Sequence, residues 1–204
     1  MIVTISAHVG KGSARPSLRE RQRLKEMRRV QRLAVDWFGS RGFDDVSVEE
    51  LAGAAEVSPV SIYRWFGTKE RLVLWDEYDP GILAAVTEQL QVHPPLAAVR
   101  EAIVAELDRL YDADRELVLA RTQLIHREPR LLSAAREDAR LLELAFREVF
   151  AAAGAVDGEF PRAVLATTAV AVLVTAVEAW QAADGRVPLA GFVREGFGAL
   201  GVER

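Results

Sequence analysis

The chain has 204 residues, of which 50% are hydrophobic and 27% are charged, and its net charge is −4. This composition is ordinary for a globular protein of one or two domains. The chain contains no cysteine, which excludes a disulfide framework, a thiolate nucleophile and a cysteine-based zinc site. Since nothing argues for secretion, we expect a cytoplasmic protein.

Basic charge is concentrated near the amino terminus. Residues 1–75 hold 13 Lys and Arg against 9 Asp and Glu, whereas residues 76–204 hold 13 against 21. Clustered basic charge is typical of a surface that contacts nucleic-acid phosphates, although a solvated helix face has the same composition. We expect the two parts of the chain to face different partners.

Residues 1–20 are predicted to form a flexible basic arm that includes Arg19. From Ser17 to about Arg41, apolar residues recur every three or four positions, which predicts a long first helix. Its first turns are basic and its last turns apolar. One end can therefore lie along a DNA backbone while the other end packs against the rest of the chain.

The stretch 47–66 predicts two short helices joined by a tight turn. Ser47 and Glu50 have the spacing of a capping box, and the apolar residues that follow recur with a helical period. Ser58 is a second capping residue, and Pro59 suits the first helical position. The second helix must therefore begin within about three residues of the end of the first, as in a helix-turn-helix.

The second of these helices has two distinct faces. Ile62 and Phe66 are four residues apart and are predicted to pack back onto the first helix. The opposite face could contact base edges and comprises Pro59, Val60, Ser61, Tyr63, Arg64 and Trp65. Arg64 is the only charged residue of this set, and an arginine paired with guanine is the commonest specific base contact.

Gly67 and Thr68 predict the end of that helix and the cap of the next one. Lys69 then lies in a first turn, where the helix dipole disfavours a cation. A DNA phosphate would relieve this, and so, partly, would Glu70. The new helix is predicted to run through Trp75 and to be interrupted or kinked at residues 79–81.

Residues from about 30 to 74 resemble the DNA-binding half of the tetracycline-repressor (TetR) family of bacterial regulators. Many residue types agree in order and spacing: Ala34, Phe38, Gly42, Phe43, Val46, Ser47, Val48, Leu51, Ala52, Ala55, Val57, Ser58, Ile62, Tyr63, Phe66, Thr68, Lys69 and Glu70. The chain departs from the family pattern at Glu56, where glycine is usual in the turn, at residues 59–60, where a basic-glycine pair is commoner, and at Trp65.

The resemblance implies a DNA-binding domain over residues 21–81, with its helix-turn-helix at about 47–66, in which Lys69 meets a phosphate. Together with the pattern above, it gives the predicted DNA-contacting set: Arg19, Ser47, Ser58, Pro59, Val60, Ser61, Tyr63, Arg64, Trp65 and Lys69.

Beyond residues 94–95 the pattern is helical throughout. Amphipathic segments are predicted at 96–111, 117–128 and 132–153, followed by helices at 160–183 and 188–200. We therefore predict an all-α protein, with an N-terminal three-helix bundle and a C-terminal helical domain over residues 82–204, and the TetR resemblance implies that this second domain serves ligand binding and dimerisation.

The helix predicted at 160–183 is apolar around most of its circumference, so it must be covered on more than one side. Its longest uncharged apolar run, 163–177, is shorter than the roughly 20 residues of a membrane span, so we expect no membrane partner. A central place in one core would suffice. The TetR resemblance instead implies pairing of the last two helices between two subunits, with an interface at Val170, Val174, Val177 and Phe192.

No residue pattern indicates an enzyme. The three histidines, His8, His93 and His126, lack the spacing of a helical metal-binding pair, and no nucleophile elbow, phosphate loop or dinucleotide fingerprint occurs. Acidic clusters such as 137–138 are expected to be solvated helix faces. We therefore expect no catalytic residue, metal or cofactor.

The expected function is that of a homodimeric transcriptional repressor, released from operator DNA by a small apolar or amphipathic effector. The candidate pocket residues are aromatic or polar groups on apolar helices: Trp75, Tyr78, Tyr111, His126, Phe146 and Trp180. Two alternatives stay open: a DNA-binding regulator without a small-molecule effector, and a helical ligand-binding protein that does not bind DNA.

Overall fold

A computed structural model describes residues 17–75 and 79–202, without the side chains of residues 79–80 and 109–114. Every regular element in these ranges is a helix. In chain order they are α1 (Leu18–Arg41), α2 (Val48–Ala54), α3 (Pro59–Phe66), α4 (Lys69–Leu74), α5 (Asp79–Gln89), α6 (Pro95–Arg127), α7 (Pro129–Ala152), α8 (Glu159–Ala182) and α9 (Leu189–Ala199). The prediction of an all-α fold is confirmed. We call α1–α4 the head and α5–α9 the body.

Each helix of the head begins with a hydroxyl side chain that accepts a backbone N–H. Ser17 and Ser47 complete capping boxes with the glutamates three residues later, and Ser58 and Thr68 cap α3 and α4. The predicted helix starts within 47–70 are confirmed. Because α1 begins at Leu18, Arg19 lies on a helix and not in the predicted arm, of which residues 1–16 lie outside the described part of the chain.

Two hydrophobic cores organise the chain. The head core contains buried residues of α1–α4 together with four residues from the corner between α6 and α7: Leu124, Ile125, Leu131 and Ala135. The body core contains residues of α5–α9, among them Ile103, Phe146, Phe150, Leu173, Trp180 and Phe197. The boundary predicted at residues 81–82 falls within the first turn of α5, and it does not separate the two cores, since α6 contributes residues to both.

Two predicted boundaries were wrong. The segments predicted at 96–111 and 117–128 form the single 33-residue helix α6. The polar stretch 112–116 interrupts the apolar period there, but its residues include good helix formers and neither glycine nor proline. The helix predicted to run through Trp75 ends at Leu74, with Trp75 as its C-cap.

One side of α8 is buried and the other is open. By length and mean hydropathy, α8 is the one helix among the described residues that could cross a membrane; here it packs against α6, α7 and α9. Its inward residues are Ala166, Ala169, Val170, Leu173, Ala176, Val177 and Trp180. The exposed stripe comprises Val164, Thr167, Ala171 and Thr175.

Candidate nucleic-acid interface

The turn between α2 and α3 is set by local hydrogen bonds. Glu50 bonds to the backbone and hydroxyl of Ser47 at the start of α2, and the Val57 N–H donates to the Ala52 carbonyl at its end. Glu56 lies in the turn that the bond between Val57 and Ala52 closes, and it adopts φ = 52°, in the left-handed region. This conformation costs a residue with a side chain roughly 1–2 kcal/mol, which explains why glycine is the usual residue in this turn.

The inner face of α3 fixes its rotation. Ile62 and Phe66 are 1% and 7% exposed and belong to the head core. The Phe66 ring also contacts the Trp75 ring edge-on, with 5.7 Å between centroids. Both predicted anchors are confirmed as buried, so the opposite side of α3 must face outward.

The outer face of α3 is less uniform than predicted. Val60 is 73% exposed, Tyr63 is 46% exposed and Arg64 is exposed. The Ser61 hydroxyl lies 2.9 Å from the Ser58 hydroxyl, and Trp65 is half-buried against the head core. Pro59 is also half-buried. Of the six residues predicted for this face, three therefore project freely from it: Val60, Tyr63 and Arg64. We call these three the reading face.

Lys69 has an intramolecular partner that the sequence did not reveal. Its ammonium group donates a hydrogen bond to the Phe43 carbonyl and lies 4.5 Å from the centroid of the Phe43 ring and 5.2 Å from that of Phe38. These contacts offset the unfavourable dipole of the first turn. A phosphate contact by Lys69 stays a prediction, and it would have to compete with this arrangement.

The exposed residues of α1 include six cations, which point in more than one direction around the helix: Arg19, Arg21, Arg23, Lys25, Arg28 and Arg32. Arg29 belongs to the same helix but has a structural role, since its guanidinium donates to Glu26 at 2.7 Å and to the Ala55 carbonyl at 2.6 Å. It ties α1 to the end of α2. The three-residue spacing of Glu26 and Arg29 was the only sequence signal for this contact.

Capping-box hydrogen bonds lower the pKa of both glutamates that accept them. The backbone N–H of Ser47, then its hydroxyl, then Arg41 lower the pKa of Glu50 to about 2. The equivalent bonds from Ser17 lower the pKa of Glu20. Both negative charges therefore lie at helix amino termini, where the helix dipole favours them.

The joint between head and body centres on α4. The Trp75 carbonyl accepts hydrogen bonds from Gln31 of α1 at 2.6 Å and from Arg121 of α6 at 2.9 Å. From α4, Arg71 donates a hydrogen bond from its Nη1 to Oδ2 of Asp138 in α7 at 3.1 Å, and its Nη2 lies 2.8 Å from Oδ1 of the same carboxylate as an ion pair. Asp138 is only 1% exposed. The expectation that residues 137–138 form a solvated face was therefore wrong for Asp138.

The family assignment follows from comparison with known proteins. Residues 32–74 match the sequence description of bacterial regulatory proteins of the tetR family, and residues 93–203 match that of the MftR C-terminal domain, which belongs to the same family. The chain is a member of the TetR family. It is accordingly a transcriptional regulator with a helix-turn-helix DNA-binding domain, as the resemblance in its head predicts.

Individual relatives agree with this assignment. The HTH-type transcriptional regulator TcmR of Streptomyces glaucescens is 30% identical over 149 residues, which span 70% of this chain and 66% of TcmR. The repressor NalD of Pseudomonas aeruginosa has a TM-score of 0.55 at 14% identity, covering 88% of this chain and 95% of NalD. FadR of Thermus thermophilus has a TM-score of 0.50 at 22% identity, covering 84% and 91%. At these identities the two solved structures show a shared fold.

The predicted effector-pocket residues of this TetR-family chain lie in different places. Phe146 and Trp180 are 0% and 1% exposed in the body core, whereas Trp75 packs against the head core. His126 lines a cavity of about 80 Å³ between α6, α7 and α8, where its Nδ1 lies 2.9 Å from the Thr122 carbonyl. Tyr78 and the side chain of Tyr111 lie outside the described residues. The described members of the set do not surround one cavity.

The predicted subunit interface needs correction. Val170 and Val177 are each 3% exposed within a single chain, so neither is available to a second subunit, and Val174 lines the small cavity beside His126. Phe192 alone of the four lies on the open side of α8 and α9. That side forms a groove of about 610 Å³ whose lining includes Thr168, Ala171, Val172, Thr175, Phe192 and Leu200. Val170 and Val177 are therefore unsuited to contact a second subunit, whereas the surface of α8 that pairs with one stays a prediction.

Proposed function

We propose that this TetR-family protein is a transcriptional repressor that binds operator DNA as a homodimer and is released by a small apolar or amphipathic effector. The observation that carries the proposal is the reading face of α3. It is exposed and held in one orientation by two buried anchors, and it lies in the same head as the exposed cations of α1. The proposal places the protein in the cytoplasm and assigns it no catalytic activity.

The head has the arrangement that major-groove binding requires. In a helix-turn-helix, the second helix enters the major groove with its amino-terminal residues toward the bases. Val60, Tyr63 and Arg64 are the exposed groups on α3, and phosphate contacts from the cations of α1 would position them without specifying sequence. Ser47, Ser58 and Thr68 mark helix amino termini that can also approach phosphates.

The dimer brings two heads to two half-sites. The groove on α8 and α9 is mostly apolar and open in the single chain, and a second copy of the same surface would cover it in a two-fold arrangement. In such a dimer the two reading faces must lie about 34–36 Å apart, or a multiple of this, to meet successive major grooves.

The effector is proposed to act through the body. FadR of Thermus thermophilus is known in complex with lauroyl-CoA, and an amphipathic ligand with an apolar acyl chain also suits a body with a large apolar core. A ligand bound in the body is proposed to move the head through α4, because contacts of Arg71, Gln31 and Arg121 link α4 to three other helices.

The DNA-binding part is tested with duplex DNA from upstream of the protein's own gene and with a random duplex of equal length. Arg64→Ala should lose about 1–3 kcal/mol of discrimination while retaining most nonspecific binding. Arg186→Ala is the matched control, since this exposed body arginine lies far from α3 along the chain. Equal losses on both duplexes would make Arg64 a phosphate contact, and no salt-dependent binding by the wild type would refute the proposal.

The effector part is tested by reciprocity. Native mass spectrometry of the purified protein should show which apolar molecule accompanies it, and that molecule is then titrated with and without operator DNA. A coupling of about 1–3 kcal/mol would make operator DNA weaken ligand binding roughly 5- to 150-fold. Equal ligand affinity in both titrations would favour a regulator without a small-molecule effector.

A further inference from the structure

The most exposed apolar side chain of α3 is Val60, at 73%. It occupies the second position of the helix, directly after Pro59. Helix propensity does not favour valine at this position, because a β-branched residue loses rotamer freedom in a helix. It also contributes nothing to the head core. The fold of the described chain therefore gives no reason for an apolar residue at this place.

The orientation of Val60 is fixed by its neighbours. The Ser58 hydroxyl caps α3 by accepting the Ser61 N–H at 3.1 Å, and Ile62 is buried on the opposite side of the helix. Val60 and Arg64 are four residues apart and so project from the same side. In a helix-turn-helix the amino-terminal residues of this helix lie nearest to the base edges, which brings Val60 deepest into the groove.

The base that suits an apolar side chain in the major groove is thymine. Its C5-methyl group projects into the groove. The edges of adenine, guanine and cytosine instead present only hydrogen-bond donors or acceptors there. Valine has no polar atom to satisfy any of these. Contact between its methyl groups and the thymine methyl removes apolar surface of both from water.

We propose that Val60 is a specificity-determining residue that selects a thymine in each operator half-site through its 5-methyl group. The position relative to Arg64 follows from helix geometry. Where the axis of α3 follows the groove, four residues advance about 6 Å along it, close to two base-pair steps of about 3.4 Å. The half-site therefore contains a thymine about two base pairs from the guanine that Arg64 contacts. This inference rests on the proposed function and adds the chemistry of the base that the site recognises.

The experiment begins with selection of binding sites from a randomised duplex library by the full-length protein. In the selected site each thymine is replaced in turn by deoxyuridine, which removes only the methyl group, and affinity is measured by fluorescence anisotropy. Burial of one methyl corresponds to about four-fold in affinity. We expect one position per half-site to show a loss of about that size, and about 15-fold when both half-sites are changed.

A double-mutant cycle assigns the effect to Val60. In Val60→Ser, the loss on methyl removal should disappear at that position and persist at others, because serine has similar helix propensity but offers no comparable apolar contact. Val92→Ser is the matched control, since Val92 is 74% exposed in the turn after α5 and its variant should retain the full methyl dependence.

The outcomes distinguish a failure of the role proposed for Val60 from a failure of the proposed function. If methyl removal costs the wild type and Val60→Ser equally at every thymine, or if no thymine lies near the selected guanine, the role of Val60 is overturned while DNA recognition stands. If the library yields no enriched sequence at all, the proposed function itself is overturned.

Discussion

The helices of the head begin differently from three helices of the body, although the body helix α7 is capped by the side chain of Glu128. In the head, α2, α3 and α4 have only 7, 8 and 6 residues, and a serine or threonine side chain caps each of them. In the body, α6, α8 and α9 begin at Pro94, Gly158 and Pro188 without any side-chain cap, although α6 and α8 have 33 and 24 residues.

This difference indicates which interactions fix the helices in each region. Helices shorter than about 12–15 residues are marginal on their own in water, so the head fixes their start and direction with local hydrogen bonds. The long helices of the body are held by burial of apolar surface against other helices. The direction of α3, on which base contact depends, is therefore set within a few residues of sequence.

The largest expected effect is on the two cores. Phe146→Ala in the body core should lower the free energy of unfolding by about 3–5 kcal/mol, and Leu51→Ala in the head core by about 2–5 kcal/mol, since both side chains are fully buried. Because α6 belongs to both cores, tryptophan fluorescence and circular dichroism should report one urea transition. Two separate transitions would show that head and body unfold independently.

The contacts between head and body should differ strongly in strength. Arg71→Ala removes a cationic partner of buried Asp138, and we expect a loss toward the lower end of roughly 3–5 kcal/mol, because the Arg71 side chain is 32% exposed. Arg130→Ala removes an ion pair with Asp44 that also joins the body to the head, but both partners are mostly exposed, so about 0–1 kcal/mol is expected. Similar losses in urea unfolding would contradict this distinction.

Local capping in the head should make its stability depend on pH. The pKa of Glu50 is lowered from 4.5 to about 2, so its ionised form favours the folded state. That contribution is present above about pH 4.5 and is lost as the pH falls toward 2. The stability difference between wild type and Glu50→Gln should shrink across this range, whereas Glu49→Gln serves as the adjacent control. A constant difference between the wild type and Glu50→Gln would show that the capping box is not formed in solution.

The smallest expected effects on stability concern two residues with a left-handed backbone conformation, one in the head and one in the body. Glu56 in the head has φ = 52° and Asp184 in the body has φ = 51°. Glu56→Gly should stabilise the protein by up to about 1 kcal/mol, the relief of strain less the added chain entropy. Asp184→Gly should gain less, because aspartate tolerates this region better than glutamate and also accepts a bond from Arg186. Thermal unfolding of both variants shows which of the two substitutions stabilises the protein more.

The same contrast explains what the sequence could predict. Capping residues and turn lengths lie close together along the chain, so the helix starts of the head and the anchors Ile62 and Phe66 were predicted correctly. Asp138 was misassigned because its partner Arg71 lies 67 residues away, and a carboxylate beside another on a helix resembles a solvated face. Which side of α8 is buried within the chain, and which residues surround His126, depend on packing between distant helices, which periodicity alone does not specify.

The length of α6 has a mechanical consequence. At 33 residues the helix is about 50 Å long, and it joins the body core near Ile103 to the head core near Leu124. If it moves as a rigid lever, a tilt of about four degrees at one end displaces the other by about 3.5 Å, close to one base-pair step of DNA. A tilt of a few degrees around its body end is thus enough to shift the head by about one base-pair step, with every hydrogen bond inside the head intact.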